Sequence, residues 1–251
     1  MGNKVIGTTS VKLGIYETST DSQLYGMLGD VKPMEDGRKF RLCKNSTAGA
    51  LTPGVAIQGT AVNSTYDDGM AIGTASVGDT TLTVTVSASY GATVAANDFK
   101  DGYFVVSGSG VAAELGHSRK IKSNTAATVG NDTTLTFYDA LTDVITASST
   151  GNWVKNQFKN VVIDAGTATC IGVPIVDVAA STATVPVYFW SQVAGPCPIV
   201  SGGALVAGDN VSLNASGVAV ASDGATDEDI GICMQVCTDT GDATFVWLNI
   251  E

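Results

Sequence analysis

Short runs of alternating apolar and polar residues recur along this chain at close spacing, separated by Gly, Asn, Asp or Pro. Thr80–Ser87 (TTLTVTVS) has strict period two and sets Leu82, Val84 and Val86 on one face, the mark of a half-buried strand. Lys39–Lys44, Tyr103–Ser107, Ser118–Ser123 and Thr133–Tyr138 read the same way. Val11–Tyr16 and Val55–Val62 are further strand candidates, and Val161–Ile163 and Ile171–Val178 look buried. Val185–Ser191 (VPVYFWS) is the most aromatic strand, and Pro198–Val200, Asn210–Leu213, Val218–Ala221, Ile230–Thr238 and Ala243–Ile250 follow it. The last places Phe245, Trp247 and Asn249 on one face and Val246, Leu248 and Ile250 on the other, so a central position in a sheet is expected. Turns are expected at Leu51-Thr52-Pro53-Gly54, where Gly accepts positive φ, at Lys100-Asp101-Gly102 and at Gly108-Ser109-Gly110. Only Ser19–Leu28 offers a short helical turn. The pattern predicts an all-β chain of short antiparallel strands in two small barrel or sandwich domains, with very little helix.

Residues 1–37 lack a long period and read as an arm or as added edge strands. Residues 38–65 with 151–251 are expected to form one discontinuous core domain, and 66–150 a small inserted one. An internal echo supports the discontinuity: Gly49-Ala50-Leu51-Thr52-Pro53-Gly54-Val55 resembles Gly203-Ala204-Leu205-Val206-Ala207-Gly208-Asp209. Duplication and shared turn chemistry both explain it.

Charge changes this picture more than composition does. The chain has 251 residues, 44% of them hydrophobic and only 15% charged, with a net charge of −11. Residues 160–251 hold ten of the 24 acids and none of the 13 bases, a net −10; the 13 bases and 14 acids before them give −1. An acidic pole of this kind repels nucleic acid and anionic membranes. Few long charged side chains means little side-chain entropy lost when surfaces are covered, which suits an assembly component.

The residues offer little chemistry. The one histidine, His117, precedes the basic run Arg119, Lys120, Lys122, which disfavours the imidazolium a general base must form. A surface role is expected, and no enzyme activity. Asp227-Glu228-Asp229 could bind Ca²⁺ but lacks the spaced ligands and glycine of a calcium loop, and Tyr66-Asp67-Asp68-Gly69 reads as a turn. Gly108-x-Gly110 has no following helix, so it is no phosphate loop. The five cysteines, Cys43, Cys170, Cys197, Cys233 and Cys237, include no CxxC and are expected to be buried free thiols of a protein made in a reducing cytosol. No catalytic, metal or cofactor site is expected. The N-terminus lacks a basic region before an apolar run, Ile6 breaks the myristoylation pattern, and no apolar stretch is long enough to span a membrane. Triplets at Asn45, Asn63 and Asn131 fit glycosylation acceptors by chance in so Ser/Thr-rich a chain. The strand Ser118–Ser123 either is solvated on its lysine face or touches an acidic protein surface.

DGYFVVSGSG (Asp101–Gly110), RKIKSNTAA (Arg119–Ala127) and TLTFYDALTDVIT (Thr134–Thr146) resemble a segment of head proteins of marine and cyanobacterial tailed phages. YFWSQVAGPCPIV (Tyr188–Val200), resembling a Gly-Pro turn of those proteins, and IGICMQVCTDTGDATFVWLNIE (Ile230–Glu251) are similar to their closing part. The resemblance covers residues 38–251 and rests on turns and strands. It implies a capsid decoration or cement protein, mostly β, made in the bacterial host cytoplasm and placed on the outer surface of the virion. Its implied partners are the major capsid protein and itself, as a homotrimer, with no nucleic acid and no membrane. The lysines of the first 159 residues would then face the shell or neighbouring subunits, and the acidic module solvent. Another virion structural protein (tail, neck or fibre base) and a carbohydrate-binding module are the competing readings. The first is separated by where a label falls on the virion, the second by a glycan screen; scarce aromatics, 7% of residues, count against the second.

Overall fold

A computed structural model describes residues 13–21, 26–60, 69–87, 93–108, 115–224 and 228–251. Among them the chain is all-β, with sixteen strands and no helix. They are β1 (Val31–Pro33), β2 (Lys39–Asn45), β3 (Ile57–Gln58), β4 (Met70–Ala71), β5 (Thr81–Thr85), β6 (Tyr103–Gly108), β7 (Ser118–Asn124), β8 (Asp132–Phe137), β9 (Thr150–Val154), β10 (Lys159–Ile163), β11 (Cys170–Pro174), β12 (Tyr188–Val200), β13 (Asn210–Leu213), β14 (Ala219–Ala221), β15 (Gly231–Cys233) and β16 (Ala243–Asn249). The chain divides into a discontinuous unit, Met1–Ala61 with Gln157–Glu251, and an inserted unit, Val62–Asn156. The boundary read from sequence at 150/151 cuts through β9, whose five residues complete the inserted sheet.

In the discontinuous unit, β2, β10, β3, β11 and β12 pair in a closed ring, because β12 also pairs with β2. Each strand sends one side chain inward: Cys43, Val161, Ile57, Ile171 and Phe189, joined by Leu51, Val178 and Val187. Alternation along the strands produces this interior. Outside the ring, Phe40, Leu42 and Trp190 are buried under Leu13 and Ile15. Trp190 Nε1 donates to the Leu13 carbonyl at 3.1 Å, as does Lys32 Nζ at 2.6 Å. The described residues before 38 therefore pack on the barrel, with β1 paired to β2. Of the strand expected at Val11–Tyr16, residues 11–12 lie outside the described residues, and Gly14 to Glu17 form a turn instead, the Glu17 N–H donating to the Gly14 carbonyl. The helical turn expected within Ser19–Leu28 falls partly on 22–25, outside the described residues.

The resemblance implies a Gly-Pro turn within Tyr188–Val200, with a strand expected at Pro198–Val200. The chain instead continues as one 13-residue strand, β12. It bulges at Gln192/Ala194 and bends at Gly195, whose φ is +81°. Gln192 Nε2 lies 2.9–3.3 Å from the carbonyl oxygens of Ala194, Gly195 and Pro196 and ties the bend together. Beyond the bend β12 leaves β2 and pairs with β16. The order β12-β16-β15-β13-β14 closes again through a parallel bridge, Ser201 to Ala219. Cys197, Ile199, Val246, Leu248, Cys233, Val211 and Ala219 fill this second interior. The expected strand Ile230–Thr238 shortens to β15, and Cys237 bridges Leu205 instead.

The inserted unit is a six-stranded sheet, β4-β9-β6-β7-β8-β5, that a bridge from Ile72 to Val84 closes. Leu82, Val84, Phe104, Ile121, Leu135, Phe137 and Trp153 line its interior. The echo around Leu51 and Leu205 belongs to a device used in both units. A buried bridging residue is followed three positions later by positive φ: Leu51/Gly54, Ala75/Gly78, Val94/Asn97, Ala127/Gly130 and Leu205/Gly208. Its recurrence in both units favours shared turn chemistry.

Candidate interaction surface

The strands that fill the second barrel turn their alternate side chains outward. On β16, Val246 and Leu248 point in, while Phe245 and Trp247 stay 45% and 50% exposed. Trp247 lies opposite Pro196 on one neighbour and Ile232 on the other; Phe245 lies opposite Pro198 and accepts the Met234 N–H. Ile232, Met234, Val236 and Val206 are themselves about half exposed or more. Isolated surface apolars are ordinary, but a continuous set across three adjacent strands marks a contact surface. Trp247 is the one exposed tryptophan of three, since Trp153 and Trp190 are each about 1% exposed. Acids border this face. Asp229 accepts from Asn210 Nδ2 at 3.0 Å, opposite Ile232; Asp209 closes the Val206 turn, and Asp239 and Asp242 lie in the turn before β16.

A second exposed row crosses the inserted sheet. Val154, Tyr103 and Lys120 stand side by side on β9, β6 and β7, and Tyr138 follows β8. Tyr103 and Tyr138 are 55% and 43% exposed, and Lys120 Nζ lies 5.9 Å from the Tyr138 ring centroid. Tyr138 Oη donates to Asp101 at 2.7 Å. Of the basic run noted in the sequence, Lys120 joins this row and Lys122 is exposed at a bulge. Arg119 is spent on the Ala140 carbonyl and the Thr142 hydroxyl.

The other candidates do not converge. His117 Nδ1 lies 3.2 Å from Asp143 Oδ2 on the surface, and lines neither cavity described next. One cavity, about 210 Å³, is walled by small and apolar residues between Ser46 and Leu51 and by Val162 and Ile163. The other, about 220 Å³, is lined by Asp164, Cys170 and Glu228 among others. Burial pushes the Cys170 thiol up to about 12, with Asp164 and Glu228 adding to the shift, so it is protonated and a poor nucleophile. Burial likewise raises Cys197 to about 12, and Cys43 further. All five cysteines are free and buried. Among the described residues no group of three or more His, Cys, Asp or Glu stands together as a metal site. Asp227 lies outside the described residues, and Asp229 is engaged by Asn210.

Asp164 is buried, accepts the Gly166 N–H at 2.7 Å, and has its pKa raised by desolvation. A raised carboxyl costs stability as pH climbs past its unfolded pKa, because only the unfolded chain ionises freely. Asp164→Asn keeps the acceptor for Gly166 and should raise the melting temperature at neutral pH but not near pH 3, where both forms are neutral. Equal shifts at both pH values in a thermal melt would contradict the assignment.

No protein-family model, curated protein or solved structure matches this chain.

The sequence had placed Phe245 and Trp247 on one face of the last strand; their exposure came from the second barrel, whose neighbours leave that face uncovered. Tyr103, Tyr138 and Val154 were not singled out by sequence, because they come together only through pairing between strands far apart in the chain.

Proposed function

We propose that the chain is a virion structural protein, a capsid decoration (cement) protein of a tailed phage that binds the outside of the head and holds capsomers together by surface burial. The observation that carries this reading is the continuous apolar face around Phe245 and Trp247, exposed on a closed sheet. A folded β-scaffold with a large uncovered apolar face is suited to contact, and small contacts repeated over an icosahedral lattice add by multivalency. The resemblance of Asp101–Thr146 and Tyr188–Glu251 to phage head proteins supplies the context. Its partners in this reading are the major capsid protein and further copies of itself. The acid-rich module carries the apolar face, so it contacts neighbours as well as facing solvent.

The test is sedimentation of the purified chain with heads that lack it. The expected result is saturable binding, many copies per head, that weakens several-fold as salt rises and charge contacts are screened. Absence of co-sedimentation at every concentration and salt would refute the role.

A further inference from the structure

The apolar face has acids at its border and no lysine or arginine anywhere in residues 160–251. Two such faces pressed together would set acid against acid, and like charges brought into contact oppose association. The face therefore calls for an apolar surface that carries positive charge. The chain owns one. On the inserted sheet, Lys120 stands between two exposed tyrosines, with Val154 beside Tyr103 and Lys122 nearby. Tyrosine brings large contact area at low entropic cost, and lysine buries its stem while its head meets a carboxylate. The extents agree as well. Val154, Tyr103, Lys120 and Tyr138 cross neighbouring strands, and the receiving face crosses β12, β16 and β15. With strands spaced about 4.8 Å, both span on the order of 10 Å or more.

We propose that the Phe245–Trp247 face of one copy receives the Tyr103–Lys120–Tyr138 row of a second copy. The contact joins unlike surfaces, so it is heterologous and propagates to a closed ring or an open chain. Each copy carries −11, but salt confines that repulsion to about 8 Å at physiological ionic strength, and the contact itself decides. The contact is expected to be weak and transient in the isolated protein, with a Kd on the order of 10 µM. The inference rests on the assembly role proposed above.

Trp247 is a built-in reporter, because the other two tryptophans are buried. Acrylamide quenching and light-scattering mass are read together from about 1 to about 100 µM, a range that brackets this Kd. The parent chain is expected to gain mass and to lose about half or more of its Trp247 quenching as the contact fills. Lys120→Glu/Lys122→Glu is expected to stay monomeric with Trp247 open throughout. Trp247→Ser is expected to stay monomeric by mass. Mixing the two should restore a pair, since one keeps the face and the other the row, and Trp247 of the lysine variant becomes protected. All substituted residues are surface residues, and circular dichroism melts confirm folding. Ile232→Ser and Tyr103→Ser form a second pair of variants should either fail to fold.

A parent chain that remains monomeric with Trp247 fully quenched overturns the contact. So does a lysine variant that associates like the parent, which would mean the face meets itself, or a mixture that stays unpaired. A chain that coats heads but never self-associates loses this contact and keeps the decoration role; a chain that self-associates but leaves heads bare does the reverse.

Discussion

Trp153→Ala is expected to lower the stability of the inserted unit by roughly 3–5 kcal/mol and leave the discontinuous unit's unfolding in place. Trp153 is about 1% exposed and stacks on Phe99 with ring centroids 4.0 Å apart. Phe104 and Phe137 pack 5.8 Å apart in the same cluster, and rings of this size refill an indole-sized space only in part. The cluster draws all its members from Val62–Asn156. Differential scanning calorimetry should show one transition moving down by many degrees and another holding still. If both fell together, the two units would unfold as one and the division into separately cored units would be wrong.

Gly172→Val is expected to destabilise the discontinuous unit by about 3 kcal/mol or more, enough to leave much of the protein insoluble. Gly172 has φ +137°, a conformation side chains rarely adopt, and lies where β11 meets β12. A Cβ there would stand 2.4 Å from Ser191 Oγ and 2.7 Å from the Gln192 carbonyl. The carbonyl belongs to the bulge that lets β12 serve both barrels, so it cannot retreat cheaply. Gly203→Ala is the control. Nothing lies within 4 Å of the added carbon, and the change should stay within about 0.5 kcal/mol. Denaturant melts of the two variants check the pair; equal effects would mean that the positive φ and the crowding at Gly172 are not what make the site intolerant of a side chain.

Alternation made most of the secondary structure legible. Leu82, Val84 and Val86 are all buried, as period two in TTLTVTVS requires, and Lys39–Lys44 and Ser118–Ser123 are strands close to the expected bounds. The Gly-Pro turn that the resemblance implies within Tyr188–Val200 is only a bend inside β12. There the Gln192 side chain ties the bend at Gly195, and the ladder to β16 keeps the residues after it extended, a tertiary effect that overrides local preference. Ile230–Thr238 failed the other way: its alternation persists, but the chain turns after Cys233 so that Cys237 can bridge Leu205. Small barrel or sandwich domains were legible, but not which strands close them, since closure depends on β2 meeting β12 and Ile72 meeting Val84. For the same reason the sequence read the acidic module only as a solvated end. Its charge was visible in the residue count, whereas its apolar outer face exists only once β12, β16 and β15 stand side by side.

Electron microscopy of virions carrying a labelled copy of this chain tests the proposed role most directly. A capsid decoration protein predicts label over the whole head surface, repeated with the lattice. Label confined to one vertex or to the tail would contradict it.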